Sequence, residues 1–179
     1  MTDGAEQLKR TMLDELVLLA AWRSRRWTAD GLAGLGVGFD DERFTLPIRH
    51  ADGELCHVER YAPPELRNGN TRKMLAPAGA ERDLFPAPEL YQRAVPIVLC
   101  EGAPAAITLH CAGVAASGVP SMATWRSEWA PRFAGRDVIV MPDAEVRARE
   151  KFSEIAAMLA EHATSVRIYD VYPERDDGA

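Results

Sequence analysis

The sequence predicts an α/β protein: a parallel sheet flanked by helices, preceded by a small α+β subdomain built on a β-hairpin. Three observations carry this. From Val95 onward, short apolar runs alternate with helical periodicities, the pattern of parallel strands joined by crossover helices. Two runs, inside Val95-Pro-Ile-Val-Leu-Cys-Glu-Gly102 and Asp137-Val-Ile-Val-Met141, are apolar on successive residues, as strands covered on both faces are. Upstream, Asp52-Gly53 lies between two extended segments, a strong hairpin signal. Residues 1–94 form the first part in this reading, with helices, hairpin and a basic loop, and residues 95–179 the second.

In chain order, residues 5–24 read as a helix, with Leu8, Met12, Leu16 and Leu19 at three- and four-residue steps and Arg23, Arg25 and Arg26 at its dipole-negative end. Trp22 and Trp27 flank those arginines and read as packing residues before base-stacking ones. Thr28 is an N-cap for a second helix, 29–35, which Gly36 ends. Strands over 43–49 and 55–61 surround the hairpin turn. Residues 62–80 turn rich in Pro, Gly, Asn and bases, and read as a long loop around a short extended piece at 73–75.

The second part reads as strand 95–100, helix 104–112, a strand at 114–116, helix 124–133, strand 137–141, helix 145–162 and strand 165–171. Pro104 suits a first helical turn, where its missing N–H is no loss. Phe152, Ile155, Ala156 and Leu159 share one face of helix 145–162, enough to cover a sheet. Trp125 and Trp129, four apart, read as core. Ser117-Gly-Val-Pro-Ser121 reads as a turn before it reads as a phosphate cradle. The four histidines have no ligand spacing and read as surface or packing residues.

Composition is that of an ordinary soluble domain: 179 residues, 47% hydrophobic and 27% charged. No apolar run approaches the ~18 residues of a membrane span, and the first residues lack a signal peptide's basic and apolar regions. The expectation is a cytoplasmic protein with no membrane partner. Three cysteines without paired spacing argue against a disulfide framework or zinc ribbon. A net charge of −6 argues against coating nucleic acid by bulk electrostatics, but the charge is unevenly spread. Residues 60–82 carry Arg60, Arg67, Arg72, Lys73 and Arg82 against Glu65 and Glu81. From Val95 onward twelve acids face eight bases. A basic strip beside an acidic edge suits a site for phosphates and metal; solvated loops produce the same counts.

The acids fall where chemistry would use them. Glu101-Gly102 follows the first buried strand, Pro142-Asp143-Ala144-Glu145 the second, and Asp176-Asp177 the last. Open α/β sheets bind ligands at the carboxyl ends of their strands. Asp143 also suits a plain helix N-cap.

These motifs resemble the three acidic motifs of the Toprim domain, shared by bacterial-type primases, topoisomerases and some nucleases. The upstream half resembles the primase branch, through Trp27-Thr-Ala-Asp-Gly-Leu-Ala-Gly-Leu-Gly-Val-Gly-Phe39, Phe44-Thr-Leu-Pro-Ile-Arg-His-Ala-Asp-Gly53, Val58-Glu-Arg60, Arg72-Lys-Met-Leu-Ala-Pro77 and Leu84-Phe85. The resemblance covers about residues 27–177.

It implies phosphoryl transfer with Mg²⁺ or Mn²⁺, held by Asp143 and Glu145 with Glu101 and Asp176. Glu101, Asp143 and Glu145 are the implied catalytic set, Glu101 joining the ligands or serving as base on a 3′-hydroxyl. Arg60, Arg72 and Lys73 would line the path of template and nucleotide. Two carboxylates ~4 Å apart repel by about 4 kcal/mol at an effective dielectric of ~20, a repulsion that a cation relieves. The implied partners are single-stranded DNA or RNA, nucleoside triphosphates, and a helicase or zinc-module protein in trans, in DNA replication or a mobile-element system.

Three departures accompany the resemblance. Ala105 stands where the family's first motif has a second acid, Glu145 replaces the second Asp of Asp-x-Asp, and Ala148 replaces a glycine. Three functions follow: a primase-type nucleotidyltransferase, a degenerate Toprim module that binds nucleic acid or nucleotide without catalysis, and a Toprim nuclease.

Overall fold

The computed structural model describes residues 15–177. The chain forms two compact units: that up to Ile48 together with Leu55–Glu81, and Arg49–Glu54 together with Arg82 to the end.

The first unit opens with helix α1 (Glu15–Arg25); the amino-terminal part of the expected 5–24 helix lies outside the described residues. Helix α2 (Ala29–Gly34) is capped as the sequence indicates, the Thr28 hydroxyl accepting from the Gly31 N–H at 3.2 Å. Gly36, at φ +67°, turns the chain out of it, a conformation that favours glycine. Strands β1 (Gly38–Phe39), β2 (Phe44–Arg49), β3 (Leu55–Tyr61) and β4 (Met74–Leu75) form a sheet in that order, with β1–β2 and β3–β4 antiparallel. Its packing centre is aromatic. Trp27, 1% exposed, meets Phe44 edge-on at 5.2 Å and Tyr61 at 5.5 Å. Trp27 is thus a core residue, whereas Trp22 is exposed with the Arg26 guanidinium over its ring.

The second unit is a four-stranded, all-parallel sheet in the order β6-β5-β7-β8, from β5 (Ile97–Glu101), β6 (Ala116–Val119), β7 (Asp137–Met141) and β8 (Ser165–Ile168). Helix α3 (Ala103–Cys111) joins β5 to β6, and α4 (Val146–Ala160) joins β7 to β8. Ile97, Leu99, Val138 and Val140 point into one core with Phe152, Ile155 and Leu159 of α4 and with Trp129 and Phe133. Val98, Cys100 and Ala116 point the other way, against Ala106 of α3. Beyond α3 that face is an open apolar cleft of about 440 Å³ between Leu109 and Tyr169.

Several local expectations change. The strand expected at 114–116 runs Ala116–Val119, so Ser117-Gly-Val119 is neither turn nor phosphate cradle but a wholly buried strand. The helix expected at 124–133 is two 3-10 segments, Met122–Thr124 and Ser127–Phe133; Pro131 inside the second supplies no N–H to an α-helical ladder. The last strand stops at Ile168. Residues 82–94 pack with the second unit: Leu84 and Phe85 are buried, Phe85 exchanges both backbone hydrogen bonds with Gly118, and Arg132 pairs with Asp83 and Glu89.

Candidate active site

The sheet order determines where a ligand would sit. The chain leaves β5 for β6 on one side, then returns across to β7 on the other. The carboxyl ends of β5 and β7 therefore flank a topological switch point, where the two following connections diverge and open a crevice. Cys100 of β5 is in register with Met141 of β7. Glu101 is the next residue on β5, and Asp143 lies two residues past the end of β7. Both acids stand at that edge, on adjacent strands.

The turn after Glu101 is tightly built. Gly102 adopts φ +77° and donates its N–H to the Val119 carbonyl at 2.8 Å. Gly118 lies directly beneath: a Cβ there would come within 2.5 Å of the Gly102 carbonyl oxygen and 2.9 Å of the Ala103 nitrogen. Two glycines on neighbouring strands thus fix the backbone that presents Glu101. Sequence reasoning missed Gly118, although a glycine inside a strand is itself a signal of close backbone approach.

Glu101 is half-buried; Asp143 and Glu145 are exposed. Burial, and after it the Asp143 and Glu101 carboxylates, push the Cys100 thiol up, so both charges bear on one buried atom of β5. Glu145 is the N-cap residue of α4, yet its side chain makes no cap hydrogen bond. That task falls to Asp176, whose Oδ1 accepts from the Val146 N–H at 2.8 Å. The tail is brought there by Arg149, which donates to the Asp170 carboxylate at 2.7 Å and to the Tyr172 carbonyl at 2.8 Å. Glu101, Asp143, Glu145 and Asp176, from the ends of three strands, thus share the sheet's carboxyl edge.

This donor set is all hard oxygen, the chemistry of Mg²⁺ or Mn²⁺, and Mg²⁺ needs only one or two protein carboxylates beside its waters. Glu101 and Asp143 fit that requirement. Among the described residues no three His, Cys, Asp or Glu side chains are gathered into a ready cation cage.

Arg60, Arg72 and Lys73 belong to the first unit. Arg60 pairs with Asp40 and, at 3.3 Å, with Glu42. Burial alone would raise the Asp40 carboxyl; hydrogen bonds from Arg60 and from the Arg43 and Glu42 backbones outweigh it and hold Asp40 below the usual range. Arg72 and Lys73 are exposed on the segment entering β4. The Arg72 carbonyl accepts from Arg43, and the Lys73 carbonyl accepts from the Ala62 N–H, so the backbone there is tied while both cationic heads face water.

The sequence matches no protein-family model and no curated protein. Solved structures match its backbone. An Aquifex aeolicus primase fragment comprising zinc-binding and RNA polymerase domains superposes at TM-score 0.66 and 12% identity, over 94% of this chain and 51% of that one. The E. coli primase catalytic core gives 0.67 and 14%, over 97% and 72%. A DnaG primase catalytic domain bound to single-stranded DNA gives 0.68 and 13%, over 95% and 68%. This chain has the fold of a bacterial primase catalytic core. Its parallel sheet is the Toprim-like part of that fold, and the antiparallel hairpin sheet precedes it, as the resemblance implied. The chain spans about half the length of the Aquifex fragment. No helix among the described residues is long and apolar enough to cross a membrane.

Proposed function

We propose that this chain is a primase-like nucleotidyltransferase module that joins nucleoside triphosphates on a single-stranded template. The observation that carries the reading is the pair Glu101 and Asp143 flanking the switch point of a sheet with the primase-core fold. A structural neighbour, the DnaG catalytic domain, was solved bound to single-stranded DNA, which supports that class of partner.

In this reading Asp143 and Glu145, with Glu101 and Asp176, would hold Mg²⁺ or Mn²⁺. When bound, the ion would supply charge stabilisation to a transferring phosphoryl group. Glu101, held by the Gly102 turn, would either be one of these ligands or serve as the base that accepts the proton of the attacking 3′-hydroxyl. On the first unit, exposed Lys73 and Arg72 offer positive charge to the backbone phosphates of a bound strand; Arg60, already paired with two acids, contributes less. A helicase or zinc-module protein in trans completes the assembly.

A second reading, a module that binds without chemistry, is favoured by Asp176, whose Oδ1 caps α4, and by Ala105 on α3 in place of an acid. One assay decides. Primer synthesis from nucleoside triphosphates on single-stranded DNA, with Mn²⁺, is expected from the wild type and lost in Glu101→Gln. Synthesis by neither protein, with strand binding intact in both, establishes the binding module. Cleavage of the template instead would establish the nuclease.

A further inference from the structure

Arg26 occupies a position whose backbone suits glycine. It closes α1 in the left-handed cap, at φ +59°, with its N–H donating to the Trp22 carbonyl at 2.9 Å. For a long side chain that conformation is strained, and glycine adopts it freely. The helix end by itself therefore gives no reason for an arginine, and strained residues concentrate where a side chain has a function.

The side chain shows what the position is used for. The Arg26 guanidinium lies over the ring of Trp22, 5.2 Å from the centroid. Trp22 is 45% exposed with that group in place, and Leu19, one turn earlier on the same face, is exposed too. Trp27 is buried in the aromatic core, so packing accounts for that tryptophan and not for Trp22. The surroundings are cationic. Residues 16–29 contain Arg23, Arg25 and Arg26 and no acid, and Arg23 and Arg26 are exposed. Helix α1 also lies against the 3-10 turn Pro64–Leu66, which opens the basic loop and is followed by the exposed Arg67. An exposed indole among guanidinium groups can hold a base by its π-face and the adjoining phosphate by charge.

We propose that Trp22 and Arg26 form a second contact site for single-stranded nucleic acid, in which one base stacks on the indole and the Arg26 guanidinium, aided by Arg23, binds the phosphate beside it. This rests on the single-stranded partner of the proposed function and adds to it a base contact on α1, separate from Arg72 and Lys73. Stacking of this kind tolerates any base but needs one that is free of a duplex, so the site favours single strands without reading their sequence.

The test is fluorescence anisotropy with two labelled probes of equal length, an oligothymidylate and a chain of abasic sugar-phosphates, across a salt series. Trp22→Ala and Trp22→Leu are both expected to weaken oligothymidylate binding about five- to a hundredfold and to leave binding of the abasic chain unchanged, while Trp22→Phe, which keeps a ring, retains most of the affinity. Arg26→Gly weakens binding of both probes and flattens the logarithmic salt slope by about 0.7, with a melting temperature unchanged or raised, because glycine relieves the left-handed cap. That combination separates a binding role from a structural one. Oligothymidylate bound by Trp22→Leu as tightly as by the wild type overturns the proposal, and so does an equal loss on both probes. An Arg26→Gly protein with the wild-type slope overturns it as well. In each of these cases the wild type still binds single strands and the proposed function stands; a wild type that binds neither probe at low salt removes both.

Discussion

Gly118 of β6 lies beneath the Gly102 carbonyl, and the space between them admits no side chain. The strand and the turn carrying Glu101 are therefore one packed unit, also joined by the hydrogen bond from the Gly102 N–H to Val119. Gly118→Ala forces a backbone shift at that turn, and overpacking of this kind costs about 1–3 kcal/mol. Gly113→Ala is the control: Gly113 sits at positive φ, +82°, where a side chain is strained, but a Cβ there meets nothing within 4 Å. Both variants are expected to lower the melting temperature. Only Gly118→Ala should also abolish metal-dependent stabilisation, because it displaces the Glu101 backbone. Equal metal responses in the two variants would separate the turn from the site.

The metal prediction rests on mass action, since a cation that binds only the folded state stabilises it. Millimolar Mn²⁺ should raise the melting temperature of the wild type, and Asp143→Asn should abolish the rise while leaving the metal-free protein as stable or slightly more so. Asp176→Ala behaves differently. It removes the cap on Val146, so the metal-free protein should lose ~1 kcal/mol, the usual cost of a lost N-cap. An undiminished Mn²⁺ response in Asp143→Asn would show that other oxygens hold the ion.

The strand-ending acids were legible because two rules coincide. Buried parallel strands announce themselves as apolar runs, and their carboxyl ends are where open sheets bind ligands. Asp176 was legible as an acid at the right end of the last strand, but not as the cap of α4. That role depends on Arg149 folding the tail back over some thirty residues of sequence, a contact no local pattern encodes. The pairing of Arg60 with Asp40 was hidden likewise, because it joins β3 to the turn between β1 and β2. The 3-10 segment over Ser127–Phe133 was misread because Trp125 and Trp129 keep helical spacing. Both do pack inward, Trp129 at 3% exposure, without an α-helix to carry them.

Tyr91 offers a pH test of the second unit. Its hydroxyl and the His110 Nδ1 are 2.9 Å apart, and burial, with smaller contributions from Cys100 and Cys111, pushes its pKa up to about 12. The folded pKa is raised above the unfolded value of about 10, so the fold favours the neutral phenol. The stability tied to that preference is intact below pH 10 and is lost as pH rises from 10 through about 12. Tyr91→Phe cannot titrate there. In urea unfolding at pH 8 it should be less stable by about 1–3 kcal/mol, the worth of the hydroxyl's hydrogen bonds to His110 and to the Ala116 backbone. That gap should close above pH 10. A gap that stays constant would mean the phenol is solvated rather than buried.

The last prediction concerns the cations of the first unit and turns on their pairing. If this chain binds single-stranded DNA, affinity falls with salt, the logarithmic slope changing by about 0.7 for each phosphate neutralised. Lys73 is exposed, so Lys73→Ala should flatten the slope by roughly that amount. Arg60 pairs with Asp40 and Glu42, and a phosphate approaching it competes with two carboxylates already in place. Arg60→Ala should therefore change the slope less than Lys73→Ala, and Asp40→Asn, which releases the guanidinium, should steepen it. Glu101→Gln should leave the slope as in the wild type. The comparison is made by fluorescence anisotropy with a labelled oligonucleotide across a salt series. Equal slopes for Arg60→Ala and Lys73→Ala would show that the Asp40 pair opens on binding, and absence of binding even at low salt would remove single-stranded DNA as a partner.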